Sequence, residues 1–132
     1  MLLVDGSGLP LSIDVDSARS GEVTLIEPLL EQAVVASLPN RLIYDRAADS
    51  DPLRERLAER GVELICPHRR GRKRSATQDG RPLRRYRKRW IVERTIGWLK
   101  AFRRLVTRYK FYAFLFHSFA KLACLMIVLR RF

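Results

Sequence analysis

Apolar and polar positions alternate at the start of the chain. Leu2-Leu3-Val4 runs into Asp5-Gly6-Ser7-Gly8, after which Leu11, Ile13 and Val15 alternate with Ser12, Asp14 and Asp16. A period of two broken by a glycine-rich turn predicts a hairpin with one buried face. From Glu22 to Ala36 the spacing changes to Leu25, Leu29, Ala33 and Ala36, which predicts a helix ended by Leu38-Pro39-Asn40. Arg41-Leu42-Ile43-Tyr44 is a short apolar run that stops at Asp45. Asp51-Pro52 offers an N-cap followed by a proline, and Leu53, Leu57 and Ala58 line one side of a helix from Pro52 to Arg60 that Gly61 ends. Val62 to Cys66 reads as a further strand. Strand and helix therefore alternate, as in an α/β sheet.

The pattern then changes character. Residues 68–82 contain Arg69, Arg70, Arg72, Lys73 and Arg74 and almost nothing apolar, which predicts a basic loop that buries little. From Leu83 to Lys110 the apolar residues Ile91, Val92, Trp98, Leu99, Phe102 and Leu105 recur at helical spacing without a proline, predicting one long helix. The stretch from Phe111 to Leu129 is apolar nearly all round. His117, Ser118 and Lys121 in its middle favour a buried helix over a membrane span, since a central lysine costs about 2.5–3.5 kcal/mol on insertion scales.

Charge sharpens this picture. The 132 residues carry a formal net charge of +12, and 47% are apolar, enough for one core and too many for a disordered or fibrous chain. Residues 1–68 hold 6 basic and 12 acidic residues, whereas residues 69–110 hold 17 basic and 2 acidic ones. Such concentration is the footprint of a polyanion, with nucleic acid the first candidate and an anionic membrane surface the second. Cys66 and Cys124 belong to no C-x-x-C pair, which argues against a zinc site or a disulfide framework and suits a reducing, cytoplasmic setting. Met1-Leu2-Leu3-Val4 meets Asp5 too soon to be a secretory signal.

On a helical wheel advancing about 100° per residue, Tyr86, Arg89, Glu93 and Lys100 fall within roughly 60°, opposite the apolar side. Glu93 is the only acid between Gly80 and the end of the chain, and Arg89, Arg94 and Lys100 lie within two turns of it. An ordinary salt-bridged surface accounts for such a stripe. So does a metal-binding carboxylate set among phosphate-binding cations.

The spacing of Tyr86, Arg89, Glu93 and Lys100 resembles the signature around the last catalytic acid of bacterial insertion-sequence transposases of the DDE class. Trp90 to Lys100, followed by Phe102-Arg103-Arg104 and Thr107-Arg108-Tyr109, is similar to that family's usual continuation. Leu42 to Asp51 resembles the segment with its second catalytic Asp, and Leu2 to Pro10 the strand pair before it. Tyr44 and Ala48 stand where the family more often has a small residue and an aromatic.

The resemblance implies an α/β, ribonuclease-H-like catalytic fold. It further implies that Asp45 and Glu93 are catalytic, metal-binding acids in a two-metal site for Mg2+ or Mn2+, which cuts and joins DNA phosphodiesters. It implies DNA contacts at Tyr86, Arg89 and Lys100, joined by Arg69, Arg70, Arg72, Lys73 and Arg74 of the basic loop and by Arg94, Arg103 and Arg104. The partners implied are double-stranded DNA, namely terminal inverted repeats and target, in a nucleoid-associated cytoplasmic protein with no membrane contact.

In the family the first catalytic Asp lies on a central strand preceding the segment that resembles Leu2 to Asp5. Asp5 reads instead as a turn residue, as do Asp49 and Asp51 as turn and cap residues. The expectation is therefore a single partial catalytic domain over 1–132, with a strand and helix part over 1–67, a loop over 68–82 and helices over 83–132. Such a chain is a remnant or a split-gene product, working with an upstream fragment or in a homo-oligomer and not cutting DNA alone. The alternatives are a DNA-binding module without chemistry and a basic peripheral membrane protein anchored by Phe111 to Leu129.

Overall fold

The N-terminal alternation forms a hairpin: β1 (Leu2–Val4) pairs antiparallel with β2 (Pro10–Ile13), Leu2 opposite Ile13 and Leu3 opposite Ser12. A register shift after Leu3 brings Val4 opposite Pro10, whose missing N–H is tolerated at the first residue of a strand. The computed structural model describes residues 1–16, 21–71, 73, 75–76, 80–107 and 111–131. Arg72, Arg74 and the 108–110 end of the expected long helix lie outside the described residues. Remaining elements are α1 (Glu22–Glu31), β3 (Arg41–Ile43), α2 (Asp51–Glu59), β4 (Glu63–Ile65), α3 (Gly80–Arg84), α4 (Trp90–Lys100), α5 (Arg103–Val106) and α6 (Ala113–Leu129).

Two compact units divide the chain. The first comprises residues 1–21, 25–34 and 90–132, and the second comprises residues 22–24 and 35–89. In the first, α6 packs on β2 and α4 on β1, and Leu99, Ala123, Cys124 and Ile127 form a buried cluster bordered by Leu2, Ile13, Trp98, Phe102 and Leu105. The His117 ring N–H donates to the Ile13 carbonyl at 2.8 Å, so the polar residue that counted against a membrane span ties α6 to the hairpin. No helix among the described residues is long and apolar enough to cross a membrane.

In the second unit β3 and β4 pair in parallel, Arg41 with Glu63 through Ile43 with Ile65, and α2 is the crossover between them. Leu42, Leu53, Leu57, Val62, Leu64, Ile65 and Cys66 are buried here. The helix stops because Gly61, at φ +76°, donates to the Ala58 carbonyl while Val62 N–H donates to the Leu57 carbonyl, a left-handed C-terminal cap that burial of Leu57 and Val62 reinforces. At the other end Ser50 is the N-cap residue and Asp51 opens the first turn, so the helix starts one residue earlier than expected.

Three other expectations are corrected. Helix α1 ends at Glu31, five residues before Ala36, because the chain leaves it to let Val34 N–H bond the Leu11 carbonyl of β2. The basic loop ends at Gly80, where α3 begins, and its first residues are tied down, as described below. The long helix is interrupted twice. Residues Arg85–Arg89, nearly all cationic, form a 3-10 segment, as like charges three and four apart disfavour an α-helix. Phe102 adopts an extended conformation that places it against the core cluster, so burial overrides helical propensity there.

Candidate functional site

Asp45 stands two residues past β3, whose pairing continues through a bond from Tyr44 N–H to the Ile65 carbonyl. Its extended backbone starts a short 3-10 turn, Arg46–Ala48, and its Oδ1 accepts the Ala47 N–H at 2.8 Å. Oδ2 faces the Arg89 guanidinium at 3.7 Å, both side chains being a little over one third exposed. Arg89 in turn donates to the Tyr86 hydroxyl at 3.3 Å and lies 6.0 Å from that ring's centre. On the other side the Tyr44 hydroxyl donates to Glu22 Oε2 at 3.0 Å. Burial, followed by the negative charge of Glu22, pushes the Tyr44 phenol well above its ordinary value.

Beyond the turn lies a charge network. Asp49, its side chain 3% exposed, accepts from Arg54 at 2.7 Å, from the His68 Nδ1–H at 2.9 Å and from the Arg69 amide at 2.7 Å. Burial opposes ionisation, but these three donors prevail and hold the carboxyl well below its ordinary range. Arg54 also donates to the Cys66 carbonyl and Sγ, while its Nε is buried with no hydrogen-bond partner among the described residues. Arg69 sends Nε to the Arg46 carbonyl at 3.1 Å and Nη2 to the Ala47 carbonyl at 2.8 Å.

Glu93 occupies the exposed first turn of α4, where the helix's positive end favours a carboxylate. The residues that follow it face inward. Arg94 donates to the Ser7 carbonyl at 2.6 Å, and the fully buried Thr95 hydroxyl donates to the Gly8 carbonyl at 2.8 Å. The Arg94 guanidinium lies 4.7 Å from the Trp90 ring centre and 4.8 Å from that of Trp98, a stack set by the four-residue spacing. The turn that receives them is held by Asp5, whose Oδ1 accepts from the Ser7 and Leu9 amides. Asp5 is thus the turn residue its sequence suggests. Burial raises its pKa, but the Ser7 hydroxyl and the Leu9, Ser7 and Gly8 amides lower it further.

The expected stripe is therefore divided. Tyr86 and Arg89 sit on the 3-10 segment of the second unit and meet Asp45 there, whereas Glu93 and Lys100 sit on α4 of the first unit. The wheel assumed one continuous helix, which the 3-10 segment breaks. Arg70, Lys73, Lys100, Arg103 and Arg104 are exposed, Arg104 lying 5.4 Å from the Phe119 ring centre. Nothing in the sequence signals the contacts of Glu22, Tyr44, Arg54 and His68, because their partners are brought close only by the fold. No three His, Cys, Asp or Glu side chains gather in a group able to hold a metal ion among the described residues.

The transposase DDE domain family matches residues 1–128. A protein of Burkholderia cepacia, named as a transposase for insertion sequence element IS402, is 33% identical over 134 residues covering 96% of this chain. The chain spans 60% of that relative's length. No solved structure matches.

Proposed function

The chain belongs to the transposase DDE domain family, and from that premise we propose that it is a DNA-binding component of insertion-sequence transposition. In this reading Asp45 and Glu93 are the second and third acids of the family's catalytic set, carried on a ribonuclease-H-like fold. One observation carries it: Asp45, Arg89 and Tyr86, each marked out by resemblance, meet within hydrogen-bond or ion-pair distance. Arg89 is a little over one third exposed beside a carboxylate, where a DNA phosphate oxygen can replace Asp45 as its ionic partner. Arg70, Lys73, Lys100, Arg103 and Arg104 supply exposed positive charge for the DNA backbone.

The family implies Mg2+ or Mn2+ beside the acids, where the ion supplies charge stabilisation for phosphodiester cleavage and strand transfer. The described residues do not complete its ligand set. Asp45 commits Oδ1 to an amide and turns Oδ2 toward Arg89, and no group of three ligands gathers. The engagement of both Asp45 oxygens favours a second reading, a DNA-binding module without chemistry.

Titration of the purified chain with a labelled duplex over a range of salt tests the binding. If 6 to 10 phosphates are contacted, affinity falls by about 10³–10⁵ between 50 and 200 mM salt, and Arg89→Ala lowers the slope by about one. Affinity indifferent to salt contradicts the reading. Incubation with Mg2+ or Mn2+ and a duplex ending in the terminal inverted repeats should leave the strands intact. Cleavage abolished by Glu93→Gln would instead make this chain a nuclease in its own right.

A further inference from the structure

We propose that two of the cations marked out as phosphate ligands, Arg69 and Arg94, are positioning residues: Arg69 clamps the turn that carries Asp45, and Arg94 clamps the helix that carries Glu93. The positioning role rests on the assignment of those acids above; the clamps themselves do not.

The first clamp acts through one peptide plane. The Arg46 carbonyl and the Ala47 N–H belong to the same rigid unit. Its N–H is bonded to Asp45 Oδ1 and its carbonyl to Arg69 Nε, so the guanidinium and the carboxylate grip opposite edges of it. Arg69 Nη2 holds the next carbonyl, Ala47, which a three-residue turn cannot satisfy internally. Arg69 is itself fixed where its amide donates to buried Asp49, which Arg54 and His68 hold in place. A side chain anchored at its backbone and spent on two carbonyls is pre-set before any DNA arrives.

The second clamp acts on consecutive residues. Arg94 and Thr95 take consecutive carbonyls, Ser7 and Gly8, immediately after Glu93. The guanidinium lies 4.7 Å and 4.8 Å from the ring centres of Trp90 and Trp98, and its Nε is buried with no hydrogen-bond partner among the described residues. A Cβ on Gly8 would lie 2.8 Å from Arg94 Nη2, which shows how closely the turn and the helix are fitted.

Lysine separates a clamp from a phosphate ligand, because it keeps the charge but has neither the fork nor the stacking plane. Amide hydrogen exchange in the free protein is expected to quicken about tenfold at Ala47, Ala48 and Asp49 in Arg69→Lys, and at Ser7 and Leu9 in Arg94→Lys. In duplex titrations Arg69→Ala and Arg94→Ala should leave the salt slope unchanged, while exposed Arg70→Ala lowers it by about one. Slopes that fall by about one in Arg69→Ala and Arg94→Ala, with exchange in the lysine variants as in the parent, would overturn the proposal. Should Arg94→Ala fail to melt cooperatively, Arg94→Lys carries that arm. A slope unmoved by Arg70→Ala counts against the DNA reading alone, since exchange judges the clamps without DNA.

Discussion

Replacing Asp49 by Asn should cost the protein about 3 kcal/mol, because it leaves the largely buried Arg54 guanidinium without its main partner. The sign of the pH dependence follows from the depressed carboxyl. A group whose pKa is lower in the folded state lends stability that is complete above its unfolded value, ordinarily 3.8, and is lost as pH falls through the folded value. Urea unfolding of parent and Asp49→Asn should therefore show the full difference at about pH 5 and above and a shrinking one as pH falls below 3.8; a gap that widens on acidification contradicts the network. Legibility differs sharply at this scale. Asp45 announced itself as the polar stop of an apolar run. Asp49 resembled a turn residue because its donors come from positions 54, 68 and 69, which the β3–α2–β4 crossover brings back. Arg69 and Arg94 showed their charge in the sequence but not the direction in which it points.

Among the elements, the fit between α4 and the Asp5–Gly8 turn makes the sharpest demand. Gly8 has φ +93°, and an added Cβ would meet Arg94, Thr95 and Ile91 at 2.8, 3.0 and 3.3 Å. Gly8→Ala should cost about 1–3 kcal/mol, whereas Gly6→Ala, with nothing within 4 Å of the added carbon, should leave thermal melting nearly unchanged. Equal melting of the two variants would mean that the turn does not seat the helix. The hairpin, the β3 and β4 strands and the Gly61 stop were legible because each rests on a local signal: alternation, a short apolar run, or a glycine. The long helix was not. Neither interruption contains glycine or proline; one arises from crowded cations and the other from Phe102 reaching the core, a tertiary effect.

Across the whole molecule, the sequence showed how much charge there is and roughly where, but not how it is divided. The basic segment holds cations already bonded to backbone carbonyls, Arg69 and Arg94, as well as exposed ones such as Arg70 and Lys73, so on the clamp proposal net charge overstates the number of phosphate contacts. The apolar C-terminal stretch is divided in a similar way. Ala120, Ala123, Cys124 and Ile127 of α6 are buried, while Phe114, Leu122, Leu125 and Leu129 are each more than half exposed. Ile127→Ala should cost about 2–5 kcal/mol and Leu125→Gln no more than about 0.5, as thermal melting would show.

The two cysteines are both buried and unpaired, Cys66 at 0% exposure in the second unit and Cys124 at 8% in the first. Burial pushes the Cys124 thiol up to about 11 and raises that of Cys66 as well. Neither reacts readily while its surroundings stay closed. The protein thus carries one built-in clock per unit: the rate at which a thiol reagent labels each sulfur in native buffer times the opening of its own unit, without any added probe.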